Sequence, residues 1–292
     1  MALIEWTEDL SLGIPPLDAD HKVMIGLINQ LDAGFGGGEE HGTIGTILNT
    51  LVEYTAVHFL REEMVMDACR YPQLDRHIEK HRELTEQVVD IQCRFFDNRE
   101  SVTVDELLNF LESWLTDHIR VDDMAFRPHL QGHPDVTAAA DAVHPIGMPP
   151  GEKQPETDGA APFDWSVLKV LIVDENQALR TVTRTIMEIV EVAEVRESSS
   201  AAGALAQLRH YQPGAIVCGR HVGGMDGIEF TRRVRDTESS PVPETPIVMM
   251  IAPGDPDYLK RAETVGVDRC LEKPILARTL VETIAEVVAR RT

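Results

Sequence analysis

Up to about residue 127, apolar side chains return every three or four positions, the spacing of one helix face. In the first such stretch His21 leads into Met24, Ile25, Ile28 and Leu31. The second runs through Ile44, Ile47 or Leu48, Leu51, Thr55, His58 and Glu62. The third opens at Pro72, a residue that a helix start tolerates, and continues as Leu74, His77, His81, Leu84, Val88, Ile91 and Phe95. The fourth begins with "TVDE", a capping box from Thr103 to Glu106, and proceeds through Leu107, Leu111 and Trp114 or Leu115 to His118. Four amphipathic helices in succession predict an all-α four-helix bundle.

The pattern then changes. From residue 167 onward, short apolar runs ("LKVLIVD", "GAIVC", "TPIVMMIA") alternate with amphipathic helical stretches ("NQALRTVTRTIMEIV", "DGIEFTRRVRD", "LARTLVETIAEVVARR"). Such alternation predicts an α/β, flavodoxin-like, doubly wound parallel sheet with function at the carboxyl ends of its strands. Between the two halves, residues 129–166 are rich in Pro, Gly, Ala and Asp and lack sustained periodicity, which is linker composition. His129, His133 and His144 fall in this stretch and read as solvated linker histidines. The expected domains are therefore 1–128 and 167–292, joined by 129–166.

Charge narrows the partners. The 292 residues carry 27 basic and 49 acidic side chains, a formal net charge of -22. Nucleic acid and anionic membrane would both repel such a chain. The opening "MALIEWTEDL" lacks a basic region followed by an apolar run, so no signal peptide is indicated, and no apolar stretch is long enough to span a bilayer. Cys69, Cys93, Cys218 and Cys270 are scattered without CxxC spacing, so a reduced, cytoplasmic setting is expected.

The helical half has an unusual core pattern. Each predicted inward face carries ligand-type side chains: His21, then His58 and Glu62, then His77 and His81, then His118. Burying one polar group without a partner costs about 1–3 kcal/mol, and a charge costs more. A lone His77/His81 pair would be weak evidence, but all of these on four helices point to metal at the bundle centre. Imidazole suits iron, zinc, copper and nickel, and bridging carboxylates suit pairs of harder ions. Five histidines and a carboxylate are already too many for one tetrahedral zinc, whereas a dinuclear site fits the count.

The segments "WTEDLSLGIPPLDADHK", "HFLREEM", "YPQLDRHIEKH" and "WLTDHIRVDD" resemble the bacterial hemerythrin family over about residues 1–127. The resemblance implies a non-haem diiron centre with O2 as ligand. By motif position His77, His81 and His118 would hold one iron, while His21 and His58 would hold the other. Glu62 and an aspartate would bridge them. Family spacing selects Asp123 over Asp122, and it puts Trp114, Leu115 and Ile119 in the apolar wall of an oxygen pocket. No catalytic residue is expected; binding outranks catalysis.

The segments "LIVDEN", "GGMDGIEF" and "LEKP" are similar to response-regulator receiver domains over roughly residues 167–291. By that resemblance Asp174 and Glu175 stand where an acidic pair helps hold Mg²⁺, and Lys273 where a lysine contacts the phosphoryl group. The phosphoacceptor position falls on Gly219, the Thr/Ser switch on Ile251 and the aromatic switch on Cys270. Glycine has no nucleophile and removes a metal ligand, so phosphorylation at the usual position is chemically impossible and the case for Mg²⁺ is weakened. Lys273 is expected to pair with Asp174. Asp226 and His221 are poor substitutes as acceptors. Cys218 and Cys270, on strands separated by another, are expected to be apolar fillers.

The expected function is an oxygen or redox sensor in two-component-type signalling. Its degenerate receiver would meet a histidine kinase, another regulator or output protein, or a second copy of the chain. The alternative is an oxygen or iron store or scavenger localised by its receiver. A phosphorelay component with an unusual acceptor is a third reading.

Overall fold

The computed structural model of the chain describes residues 2–37, 41–98, 102–130, 133, 136–143 and 163–291. They fall into two compact units, one helical and one α/β.

The helical unit contains α1 (Pro15–Gly37), α2 (His41–Ala68), α3 (Leu74–Asp97) and α4 (Val104–Asp117). The aliphatic positions picked out by helical spacing, among them Met24, Ile28, Leu31, Leu51, Leu84, Val88 and Leu111, are buried. The capping box forms by half: the Thr103 side chain accepts from the Glu106 amide at 3.1 Å, but the Glu106 carboxylate takes Arg94 as partner at 2.9 Å. Helix α3 begins at Leu74 rather than at Pro72, because Tyr71 to Gln73 form a turn closed by the Leu74 amide on the Tyr71 carbonyl. Before α1, the arm is pinned by two hydrogen bonds of 2.9 Å between Asn29 and the Ile4 backbone, and Lys22 lies over the Trp6 ring.

Helix α4 does not end cleanly. It runs into a wider, π-type turn from His118 to Asp123, then into α5 (Met124–Phe126) and a 3₁₀ turn, Arg127–Leu130. Within the stretch expected to be linker, residues Val136–Asp141 form a sixth helix, α6. Val136 and Ala140 are buried in a cluster with Leu17, Val65, Met66 and Phe126. The Ala-rich run is helix-prone, and the bundle gives it a surface to cover. His129 packs edge-on against Tyr71, ring centroids 5.1 Å apart, so it is not merely solvated. His144 lies outside the described residues.

The α/β unit follows the expected alternation: β1 (Lys169–Val173), α7 (Gln177–Ile189), β2 (Glu194–Ser198), α8 (Ala201–Leu208), β3 (Ala215–Gly219), α9 (Gly227–Arg235), β4 (Ile247–Ile251), α10 (Pro256–Thr264), β5 (Arg269–Glu272) and α11 (Ala277–Ala289). All pairings are parallel, in the order β2-β1-β3-β4-β5, which is the flavodoxin-like arrangement. Leu171, Val173, Ile216, Cys218, Met249 and Ile251 share one core with residues of α8, α9 and α10. Alternate strand residues face the other way, as Thr183 of α7 shows by donating to the Met250 sulfur. Among the described residues, no helix is long and apolar enough to cross a membrane.

Candidate metal centre

All seven expected ligand side chains are buried in the helical unit and converge. His58 and Glu62 share a face of α2 because they are one helical turn apart, and His77 and His81 share a face of α3 for the same reason. His118 and Asp123 are five residues apart, which a regular α-helix would place about 140° around its axis. The π-type turn brings them to one side: Nε2 of His118 lies 3.1 Å from Oδ1 of Asp123.

The histidines sort into two sets. The rings of His77, His81 and His118 lie within 5.4 Å of one another, and those of His21 and His58 are 4.7 Å apart. The carboxylates stand between the sets. Oε2 of Glu62 is 3.1 Å from His81, 3.5 Å from His118, 3.7 Å from His77 and 3.8 Å from His58. Asp123 turns Oδ1 toward His118 and His77 and Oδ2 toward His21, at 3.4 Å. Two metal-competent groups result, Glu62/His77/His81/His118 and His21/His58/Glu62/Asp123, with ligand atoms in each within 4.8 Å of one another. Asp122 is half-exposed and faces the outer nitrogen of His118, Nδ1, at 3.5 Å.

The donor atoms are short of partners. Nε2 of His21, His58, His77 and His118, Oε1 of Glu62 and both oxygens of Asp123 are buried without hydrogen bonds. Native interiors hold only a few such atoms, and seven of them converging in one place fit a cation that would use them together. The electrostatics agree. Burial, then the Glu62 carboxylate, pushes Asp123 up to about 7. Burial also opposes charge on His118, but Asp123, Asp122 and Glu62 outweigh it and lift the ring to about 10. Buried carboxylates are thus drawing positive charge into the gap, which is what a metal pair supplies.

Beyond the ligands lies a ring of carboxylates that sequence periodicity does not pick out. Asp20 is 3.3 Å from Nδ1 of His58, and Glu63 is 2.8 Å from Nδ1 of His81. Each leaves the opposite ring nitrogen, Nε2, to face the centre, the usual way a protein orients a metal-binding imidazole. Phe59 was equally hidden. It stacks on His81 with centroids 3.9 Å apart, meets His118 edge-on at 5.3 Å and lies 6.2 Å from Trp114. Trp114, Leu115 and Ile119 are all buried, so the inward side of α4 and the π turn is apolar beside His118. A cleft of about 490 Å³ between α3 and α4 reaches Trp114 and His118 from the surface.

At the carboxyl ends of the sheet, Asp174, Glu175 and Lys273 line a second cleft, of about 350 Å³. Gly219 ends β3 beside it, and Ile251, fully buried, ends β4. Asp174 has turned into the space beside Gly219, holding the Asn176 amide at 2.8 Å. Burial pushes this carboxyl up to about 6, against the pull of the Asn176 amide and of the Lys273 and Arg180 charges. Asp174 feels the charge of Lys273, which lines the same cleft, and points toward β3. Asp226 caps α9 through the Ile228 amide and accepts from the Tyr258 hydroxyl, a structural role. Cys218 and Cys270 are free thiols with Met249 paired between them, too far apart to bridge.

Comparison with known proteins matches both units. Residues 12–130 match the hemerythrin HHE cation-binding domain, and residues 170–285 the response regulator receiver domain. Bacteriohemerythrin of Stenotrophomonas maltophilia is 32% identical over 133 residues, covering 46% of this chain and 85% of that protein. Bacteriohemerythrin of Pseudomonas aeruginosa is 35% identical over 126 residues, covering 43% and 80%. The sensory/regulatory protein RpfC of Xanthomonas campestris is 27% identical over 121 residues, 41% of this chain but 16% of that protein. Among solved structures, the chemotaxis response regulator CheY4 of Vibrio cholerae superposes with a TM-score of 0.38 at 26% identity, covering 41% of this chain and 98% of that one.

Proposed function

Because the chain belongs to the hemerythrin family through residues 12–130, we propose that it is a non-haem diiron, O2-binding protein that senses oxygen or redox state. Its receiver unit then serves as a docking module without phosphorylation chemistry. The observation that carries the reading is the position of Glu62 and Asp123 between a set of three histidines and a set of two.

In this reading His77, His81 and His118 would hold one iron and His21 and His58 the other, with Glu62 and Asp123 serving both. A reduced iron pair supplies two electrons to O2 reversibly. The chain's own residues supply orientation and dryness. Asp20 and Glu63 hold the outer nitrogens of His58 and His81. Phe59, Trp114, Leu115 and Ile119 set buried apolar surface beside the histidines, which favours reversible binding over onward chemistry. Asp122 serves as an outer partner of His118 rather than a bridge.

The α/β unit has lost the nucleophile at Gly219 and the hydroxyl at Ile251. What remains is a folded receiver surface able to meet a kinase, another regulator, an output protein or a second copy of the chain. Absorption spectra of the anaerobically reduced chain, before and after O2 and again after deoxygenation, test the reading. A reversible change supports O2 binding, a one-way change redox sensing, and no change contradicts both. Hydrogen exchange in residues 169–289 then separates sensor from store: a sensor alters it on O2 binding, a store does not.

A further inference from the structure

Arg61 is a buried charge that the cluster itself does not use. It sits on α2 next to Glu62 but on a different face, and it is 6% exposed. One terminal nitrogen of its guanidinium, Nη1, donates to both oxygens of Asp20. Nε donates to the Ala140 carbonyl at 3.1 Å, and Nη2 to the Val143 carbonyl at 3.0 Å. Asp20 in turn holds Nδ1 of His58 and accepts from the Tyr54 hydroxyl at 2.6 Å. A continuous buried path therefore runs from the His58 ring through Asp20 and Arg61 to the carbonyls at the end of α6.

The chemistry explains the residue type. Carbonyls at a helix C-terminus have accepting capacity to spare and attract a cation. A guanidinium keeps its charge when buried and presents donors in a fixed planar fork, so it can serve a carboxylate and two carbonyls at once. A lysine ammonium carries the charge but not the geometry.

We propose that Arg61 is a positioning residue with two tasks, fixing the Asp20–His58 pair and fastening residues 136–143, so that metal on His58 is felt in the segment leading toward the receiver. This inference rests on the diiron reading only for its metal-dependent part. Metal on Nε2 makes the opposite Nδ1–H a stronger donor to Asp20, which stiffens the pair and the guanidinium bound to it. The Ala142 and Val143 amides report the fastening, since they donate to the Ala138 and Ala140 carbonyls within the same turn.

The test is hydrogen exchange of the full chain, metal-free and iron-loaded, read on the peptide spanning Ala138–Val143, with bound iron counted on the same samples. In metal-free protein, Arg61→Lys is expected to speed exchange there about tenfold and leave α3 unchanged. Iron is expected to slow it about threefold or more in wild type and not in Arg61→Lys. Asp20→Asn, a milder change should Arg61→Lys fold poorly, is expected to abolish the iron-induced slowing. Unchanged exchange in metal-free Arg61→Lys overturns the fastening. Bound iron without slowing in wild type, or full slowing in Asp20→Asn, overturns the relay and leaves the diiron reading standing. No bound iron overturns that reading and the relay together, while the metal-free comparison still decides the fastening.

Discussion

Asp174 stands where a side chain at Gly219 would have to go: a β-carbon on Gly219 would lie 1.9 Å from its Oδ2. Gly219→Asp forces Asp174 to rotate away from the Asn176 amide, and it sets two carboxylates together at the strand ends. We expect the variant to lose about 1–3 kcal/mol of stability in the α/β unit. We also expect no mass gain from a small-molecule phosphodonor. A stable phosphorylated variant would show that the pocket still switches.

The same carboxyl makes stability depend on pH. Its ordinary value is 3.8 and the folded value is about 6, so between these limits the native state keeps a proton that the unfolded chain has lost. Stability of the α/β unit should therefore fall as pH rises through that window and level off above it. Asp174→Asn should remove the slope, gaining roughly 1–3 kcal/mol at pH 7 and little at pH 3.5. Labelling of the buried Cys218 thiol in urea, mapped by mass spectrometry, follows this unit. Equal slopes in both proteins would sink the assignment.

Two adjacent aspartates should behave differently. Asp123 faces both histidine sets, whereas Asp122 faces only the outer nitrogen of His118. Asp123→Asn should cost at least one iron per chain; Asp122→Asn should keep the full complement and shift the spectrum only slightly. Metal analysis of the two variants checks this, and the reverse ranking would exchange their roles.

His58→Ala and Glu62→Ala should also part ways. Without His58 the two-histidine site loses half of its imidazoles, and O2 binding should vanish while far-ultraviolet circular dichroism still reports a helical bundle. Without Glu62 both groups lose a member, and the pair should lose its dinuclear character. Two magnetically coupled irons retained in Glu62→Ala would contradict the bridge.

Much of this was readable from residue order because it depends on local periodicity. Helical spacing put His77 and His81 on one face whatever surrounds them, and strand–helix alternation specified the parallel sheet. What escaped depends on partners distant in sequence. Asp20, Arg61 and Glu63 are charged residues whose positions say nothing of their partners, and only the fold reveals that they are spent on His58, α6 and His81. Phe59, beside His58 in sequence, carries no mark of its stacking on His81. Helix α6 hid in linker composition because Ala-rich segments show little amphipathic pattern and this one is held by Arg61 from another helix. The π turn that aligns His118 with Asp123 leaves no signature in "HIRVDD".

In the function proposed above, seven side chains of the helical unit hold a pair of irons. Iron and protein counted on the same sample of the full chain, loaded anaerobically with ferrous ion and freed of excess, test it most directly. About two irons per chain are expected, as five imidazoles and two bridging carboxylates require. One iron or none would contradict it.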